Sequence, residues 1–290
     1  THGYGVIVTS ASKTEESGNL DYIKSGFIET NDGIILTQPR IYFGMQTNTS
    51  IVINKNKTVE YDYPLTSTTN SYNTYAGKAG LTLNFLDRLI LGIKEGNLKL
   101  AFSEDTNGNS SIITSRNIIQ RAKTVMPYLT YDEEPYMVVT DDGELVWVLD
   151  AYTVSDSYPY SQKTNIKFSD GTTREVNYIR NSVKVLINAY DGTMKFYITD
   201  RTDPIVMAYW KMYSELFEAP DEKLPEDIAK HITYPKFLYD VQAEVLEIYH
   251  DVQAEVLYRA DDIWTIATEN TSKVTSLNGT QIDSYYTMVK

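Results

Sequence analysis

Five side chains between residues 150 and 180 could together form a ligand-binding surface. Asp150 ends an apolar stretch, and Tyr152, Tyr158 and Tyr160 follow it in the segment DAYTVSDSYPYS. Tyrosine rings offer flat faces and hydroxyl groups, and a carboxylate accepts hydrogen bonds, so this combination suits binding. The guanidinium of Arg180 is a candidate partner for the Asp150 carboxylate. The alternative interpretation is that the tyrosines cover a sheet and that Asp150 takes part in a structural ion pair.

The sequence contains few of the residue patterns that catalysis commonly uses. Its three histidines, His2, His231 and His250, lie in no HExxH motif and in no triad-like setting. The chain has no cysteine, which excludes thiolate nucleophiles, disulfides and Cys-ligated metal sites. Carboxylates are plentiful, so a glycan hydrolase that uses two of them is the rival hypothesis to a non-catalytic module.

One loop has part of the pattern of a calcium site. In the segment EDTNGNSS, Asp105, Asn107 and Asn109 alternate as calcium ligands do, but Arg116 stands where the bidentate acid should be. We therefore expect an ordinary loop and no cofactor. A divalent-cation-stabilised module of an envelope or transport complex is the third hypothesis.

The charge balance limits the partners that the chain can have. The sequence has 26 basic and 39 acidic residues, a formal net charge of −13. This charge repels a phosphate backbone, so nucleic acid is excluded as a partner, and it disfavours direct docking on anionic lipid. No apolar run reaches the roughly 20 residues that a transmembrane helix requires.

Two β-hairpins are the clearest structural prediction. Apolar, β-branched runs at residues 137–140 and 145–149 flank Asp141-Asp142-Gly143, and similar runs at residues 183–189 and 194–199 flank Asp191-Gly192. An Asp-Gly pair between such runs is typical of a tight hairpin, because glycine accepts the positive φ of the turn.

Helices are predicted from apolar periodicity and capping residues. In residues 81–94, Leu83, Leu86, Ile90 and Ile93 share one face of a helix, and residues 97–102 are predicted to form a strand.

Further helices are predicted, including a short one at residues 224–232 that Pro225 opens. One begins near Thr114 or Ser115, and another begins at Pro204 with Asp203 as its N-cap. The segment DVQAEVL occurs twice, eleven residues apart, which predicts one long amphipathic helix from about residue 235 to 259.

Together these elements predict an α+β fold, in which antiparallel β-sheets built from hairpins pack against several α-helices. We expect a strand-rich subdomain with one helix at residues 1–113 and a hairpin and helix subdomain at residues 114–290, or one continuous domain.

Several sequence blocks resemble a known family. THGYG at residues 1–5, RIYFG at 40–44, EYDYP at 60–64, WVLDAYTVSDSYPYS at 147–161 and HITYPKFLYDVQ at 231–242 are similar to UPF0182, uncharacterised bacterial membrane proteins. The chain departs from the family pattern at residues 251–257, where the family is usually less regular.

The resemblance implies a location but no chemistry. It implies that several N-terminal transmembrane helices precede a large extracellular domain, and that these helices are a partner of the present chain. It carries over no catalytic residue. We therefore expect a non-catalytic binding or structural module at the outer face of a bacterial cell membrane, with an envelope glycan or protein as its partner.

Overall fold

The computed structural model describes residues 2–24, 33–55, 57–97, 99–106, 110–269 and 280–287. The fold is α+β, as predicted from the sequence. The chain forms two compact units: unit 1 comprises Thr1–Thr153 and Arg180–His231, and unit 2 comprises Val154–Ile179 and Ile232–Lys290. The boundary expected between residues 113 and 114 lies inside unit 1, because Ile113 and Ile118 belong to the same hydrophobic core.

The structure contains many short strands and a smaller number of helices. The strands are β1 (Gly3–Tyr4), β2 (Val8–Thr14), β3 (Leu20–Lys24), β4 (Arg40–Ile41), β5 (Ile51–Ile53), β6 (Glu60–Pro64), β7 (Asn70–Asn73), β8 (Leu81–Thr82), β9 (Ser111–Ile113), β10 (Thr130–Tyr131), β11 (Tyr136–Val139), β12 (Leu145–Ser155), β13 (Thr164–Lys167), β14 (Thr173–Val176), β15 (Tyr178–Asn188), β16 (Met194–Ile198), β17 (Thr268–Glu269) and β18 (Thr280–Gln281). The helices are α1 (Phe85–Lys94), α2 (Lys99–Phe102), α3 (Ile118–Val125), α4 (Pro204–Met212), α5 (Glu226–Ala229), α6 (Lys236–Tyr249) and α7 (Ala254–Arg259), with a 3-10 turn at Ser214–Leu216.

The largest sheet has the strand order β10-β12-β15-β16, with β11 also paired to β12. Both predicted hairpins are confirmed. Strands β11 and β12 pair antiparallel with Val139 opposite Leu145, and β15 and β16 pair antiparallel with Ile187 opposite Met194. Gly143 has the positive φ of 79° that its turn requires.

Helices α3 and α4 contribute buried side chains to the core of unit 1. Asn117 caps α3 by accepting from the backbone N–H groups of Ile119 and Gln120, so this helix begins later than the Thr114 or Ser115 cap that we expected. Asp203 caps α4 and Pro204 opens it, as predicted. The core includes Tyr42, Phe43, Ile118, Ala122, Leu149, Val185 and Val206.

The segment around α1 differs from its prediction in two ways. The predicted strand at residues 97–102 is wrong, because Lys99–Phe102 forms a short helix. The face that Leu86, Ile90 and Ile93 share does exist, but it points to solvent, and the buried residues of α1 are Leu91 and Gly92. Periodicity shows which residues share a face, but it does not show which face the core covers.

Unit 2 is built on the hairpin β13–β14 and the helix α6. Its core contains Ile166, Phe168, Val176 and Val241. The prediction of one helix over residues 235–259 is wrong, because α6 ends at Tyr249 and α7 begins at Ala254. The Asp251 carboxylate accepts from the backbone N–H of Gln253 at 2.8 Å. This local turn competes with helix continuation, so the two DVQAEVL copies do not form one apolar stripe.

Among the described residues, no helix combines the length and the apolar composition that crossing a bilayer requires.

Candidate functional site

Asp150 lies inside unit 1 and is held by neighbours other than the one expected. Its carboxylate accepts hydrogen bonds from the ammonium of Lys184 and from Nδ2 of Asn181. Burial raises the pKa of the Asp150 carboxyl, and the Lys184 ammonium acts in the opposite direction. The expected pairing with Arg180 is not observed. The Arg180 guanidinium instead donates to Asp200 at 2.9 Å.

Tyr152 is also a structural residue. Its ring is fully buried in unit 1, and its hydroxyl donates to Oδ2 of Asp132 at 2.7 Å. The structural alternative is therefore the better interpretation of both Asp150 and Tyr152, since neither side chain is open to a ligand in this structure.

Tyr158 and Tyr160 lie in unit 2 and are exposed. The Tyr158 ring stacks on Tyr178 with the ring centroids 5.3 Å apart. Asn177 fixes this segment, because its Nδ2 donates to the carbonyl oxygens of Tyr158 and Ser161 at 2.9 and 3.0 Å. The five predicted residues thus belong to two different units: Asp150, Tyr152 and Arg180 to unit 1, and Tyr158 and Tyr160 to unit 2. Of the three predicted tyrosines, only Tyr158 and Tyr160 are exposed to solvent.

A cleft in unit 2 lies beside this segment, between the hairpin β13–β14 and helix α6. Its volume is about 230 Å³. Its apolar lining comes from Ile166, Val176, Ile179, Val241, Val245 and Ile248, and its polar lining comes from Ser161, Gln162, Thr164, Asn177, Tyr178, Glu244 and Tyr249. The cleft therefore combines an apolar surface with aromatic, amide, hydroxyl and carboxyl groups.

Helix α6 and the segment before β13 are joined at this cleft. The hydroxyl of Tyr249 donates to Oε1 of Gln162 at 2.9 Å. Both side chains line the cleft, so this bond joins its two walls. The bond uses the amide oxygen of Gln162, and the amide N–H groups are of the kind that donate to a ligand oxygen.

Glu244 brings a carboxyl group with altered acidity to the cleft. Partial burial raises its pKa above the usual value, and the neighbouring acids Glu247 and Asp240 act in the same direction. Helix α6 places Glu244 three residues after the core residue Val241, which turns the carboxyl toward the cleft. Glu244 and Tyr249 were not among the residues that the sequence patterns indicated. The available signal was their position beside the apolar valines of a predicted amphipathic helix.

Comparison with known proteins gives the family. The protein-family model described as "Uncharacterised protein family (UPF0182)" matches residues 1–290 of the sequence. The chain belongs to the UPF0182 family.

Relatives carry the same family name. A UPF0182 protein of Caldicellulosiruptor saccharolyticus is 43% identical over 273 residues, which are 93% of this chain and 29% of the relative. A UPF0182 protein of Clostridium tetani is 40% identical over 281 residues, 95% of this chain and 30% of the relative. One of Clostridium botulinum (strain Okra) is 39% identical over 270 residues. The chain spans less than a third of the length of these relatives, and no solved structure matches it.

This UPF0182 chain also contains a buried charge cluster in unit 1, centred on His2. The Nδ1 atom of His2 is 3.1 Å from Oε1 of Glu60, and its Nε2 atom is 2.9 Å from Oδ1 of Asp62. Arg40 donates from Nε and Nη2 to the two oxygens of Asp62 at 3.0 and 2.6 Å. The ring of Tyr42 stacks on the imidazole, with the ring centroids 4.9 Å apart.

The acidity of Asp62 reflects this cluster. Burial by itself would raise the pKa of its carboxyl, but the hydrogen bonds from Arg40 and His2 outweigh burial and hold the pKa below its usual range. The side chains of His2 and Asp62 are fully shielded from solvent, so we interpret the cluster as structural. The blocks THGYG, RIYFG and EYDYP, which carried the resemblance, supply His2, Arg40 and Asp62 respectively.

The described part of the chain contains no group of three or more histidine, aspartate or glutamate side chains that could hold a metal ion. In the loop with the calcium-like pattern, the Asp105 carboxylate accepts from the hydroxyl of Thr58 at 2.5 Å. Asn107 and Asn109 lie outside the described residues.

Proposed function

We propose that this chain is a non-catalytic binding module and that the cleft of unit 2 binds one sugar unit of a bacterial envelope glycan. The observation that carries the proposal is the composition of the cleft, in which Tyr178, Tyr249 and Gln162 surround an apolar surface. Aromatic faces pack against the apolar face of a sugar ring, while amide and hydroxyl groups bind its hydroxyls. The volume of about 230 Å³ suits a small ligand, since pockets for drug-sized ligands measure about 300–1,000 Å³.

The charge of the chain favours a neutral or cationic sugar over an anionic one. The net charge of −13 repels anions, and the cleft itself contributes the carboxyl of Glu244. Because the pKa of Glu244 is raised, this group donates a hydrogen bond at a higher pH than an ordinary glutamate does. An N-acetylated sugar satisfies these conditions, because it is uncharged and carries hydroxyl and amide groups.

The same cleft argues against the hydrolase hypothesis. A glycosidase of the common type needs two carboxyl groups across the bond that it cleaves, about 5–10 Å apart. Among the described residues that line the cleft, Glu244 is the only acid. Binding without hydrolysis is therefore the function that this lining supports.

We also propose that the module lies outside the cell membrane as part of a longer membrane protein. Two observations support this location: the resemblance of its sequence blocks, and the length of its relatives, of which this chain covers 29–30%. An envelope glycan would be within reach of a module in that position.

The binding proposal can be tested by calorimetric titration of the 290-residue chain with a soluble N-acetylglucosamine trimer. Replacing Tyr249 with alanine removes one ring and the bond to Gln162, so Tyr249→Ala is expected to weaken binding about tenfold or more. Tyr239→Ala is the matched control, because Tyr239 is an exposed tyrosine of the same helix that does not line the cleft. Equal effects of the two changes, or no binding of this trimer and of solubilised peptidoglycan, would refute the proposal.

A further inference from the structure

Helix α1 exposes its most apolar face to solvent. Phe85, Leu86, Ile90 and Ile93 are 57%, 65%, 63% and 66% exposed. With about 100° between successive residues, these four and Leu89 occupy a continuous arc of about 140° that contains no polar residue. We call this arc the α1 face.

The opposite side of α1 holds the helix in place. Leu91 is buried in a small cluster with Leu83 and Ile112, and Asn84 caps the helix by accepting from the backbone N–H of Asp87 at 3.0 Å. The helix therefore has its own packing and does not need the α1 face for it. A water-exposed apolar arc of this size on an anchored helix is typical of an interaction surface.

Neighbouring residues extend the apolar surface of the α1 face, and the segment that contains it has a small positive net charge. Leu81 and Phe102 are 60% and 72% exposed, and α2, which carries Phe102, contacts α1. Residues 81–102 contain three basic and two acidic residues, a net charge of +1 in a chain whose net charge is −13. At physiological salt, charges more than about 8 Å away are largely screened, so these local charges act on a surface that docks here.

We propose that the α1 face inserts into the interfacial region of a lipid bilayer. Leu, Ile and Phe line one side of the helix, with Lys94 and Asp87 beyond one border of that side and Arg88 beyond the other, which is the amphipathic pattern of helices that lie in the plane of a membrane surface. Protein–protein interfaces usually add tyrosine, tryptophan and about one hydrogen bond per 100–200 Å², which this arc does not offer. This binding surface is separate from the cleft, since α1 belongs to unit 1.

The test is flotation of the 290-residue chain with phosphatidylcholine vesicles that contain about one third phosphatidylglycerol, at physiological salt. The unaltered chain is expected to float with the vesicles. Ile90→Glu is expected to reduce the bound fraction about tenfold or more, because it places a charge in the apolar arc. Leu65→Glu is the matched control, since Leu65 is an exposed leucine in a turn of unit 1 and should leave binding unchanged.

A second measurement reports insertion directly. The chain has no cysteine, so Ile90→Cys and Thr66→Cys each accept a single environment-sensitive fluorophore. A blue shift on vesicles is expected at position 90 and not at position 66. The inference is overturned if the chain does not float, or if both positions respond alike. It is also overturned if the chain self-associates instead and Ile90→Glu abolishes that association, because the partner is then a second copy. Circular dichroism of each variant establishes that it has folded.

Discussion

The hydroxyl of Tyr249 donates a 2.9 Å hydrogen bond to Gln162, although the two residues are 87 positions apart in the chain. This bond joins α6 to the segment before β13 at the wall of the cleft. The contacts that shape the cleft therefore lie within unit 2, which makes the cleft a feature that single substitutions can probe.

The buried pair between Asp62 and Arg40 is expected to stabilise unit 1 strongly. Asp62→Asn leaves the Arg40 guanidinium without its counter-charge, which should lower the free energy of unfolding at pH 7 by about 3 kcal/mol, as for other buried pairs. Lys57→Ala is the control, because the exposed pair of Lys57 and Glu104 should contribute less than about 1 kcal/mol. Urea unfolding of both variants measures the two losses.

The stabilisation that Asp62 contributes is expected to depend on pH. The folded pKa of Asp62 lies below its usual value, so the stabilisation is present at pH values above the unfolded pKa of about 3.9 and is lost as pH falls through the folded pKa. The difference between the unaltered chain and Asp62→Asn should therefore shrink on acidification below about pH 4. A difference that is independent of pH contradicts this account.

Asp203 is expected to contribute more to the free energy of unfolding than an ordinary helix cap does. One of its oxygens accepts from the backbone N–H of Ile205, and the other accepts from the buried hydroxyls of Thr153 and Ser182, both at 2.5 Å. Asp203→Ala should cost about 2–4 kcal/mol in unfolding free energy, because it removes the cap and two buried acceptor contacts. Asn84→Ala, which removes only the cap of α1, should cost about 1 kcal/mol. Equal losses in thermal or urea unfolding would show that the two hydroxyl contacts contribute nothing.

Gly143 is predicted to tolerate no side chain. A Cβ atom there would lie 2.7 Å from the carbonyl oxygen of Ile35 and 2.8 Å from the amide nitrogen of Thr37. Gly18 has a similar φ of 83°, against 79° for Gly143, but no atom within 4 Å of its Cβ position. Gly18→Ala should thus lower the free energy of unfolding by about 1–2 kcal/mol, because alanine is strained at this backbone conformation. Gly143→Ala should lower it by about 1–3 kcal/mol more, because its Cβ atom also clashes with the backbone. Similar unfolding midpoints for the two variants would contradict the close approach at Gly143.

Removing the charge of Glu244 is expected to stabilise unit 2 at neutral pH. Its folded pKa is raised, so ionisation is less favourable in the folded chain, and stability falls as pH rises through that pKa. Glu244→Gln should gain up to about 0.5 kcal/mol at pH 7, a small effect because the side chain is largely exposed, and nothing below about pH 4. Glu255→Gln, at an exposed position of α7, is the control and should show no gain, because the change removes the exposed ion pair of Glu255 with Arg259. A gain of equal size at both pH values would rule out the charge as its cause.

The sequence predicted the parts of the fold that local chemistry determines. The hairpins at Gly143 and Gly192 follow from glycine and β-branched residues that lie within a few positions of each other. The start of α4 likewise follows from two adjacent residues, the N-cap Asp203 and the first helical residue Pro204. The outward orientation of Ile90, and the break after Tyr249, depend on what packs nearby or on competing side-chain bonds, and periodicity does not contain that information.

The residues that line the cleft were not predicted from the sequence, for a similar reason. Of the five predicted residues none lines the cleft: Tyr158 and Tyr160 are exposed in unit 2, and Asp150 and Tyr152 are buried in unit 1. Glu244 and Tyr249 come from a helix about 90 positions later in the chain, and no local pattern connects that helix to the tyrosine-rich segment.

The most direct test of the account is whether a sugar occupies the cleft of unit 2. Ile248→Cys and Leu246→Cys each introduce a single thiol into the cysteine-free chain on the same helix; Ile248 lines the cleft and Leu246 is exposed but does not line it. A fluorine label on each thiol is followed by NMR during titration with the N-acetylglucosamine trimer. The account predicts a saturable shift at position 248 and none at position 246. No shift at either position, or equal shifts at both, would contradict it.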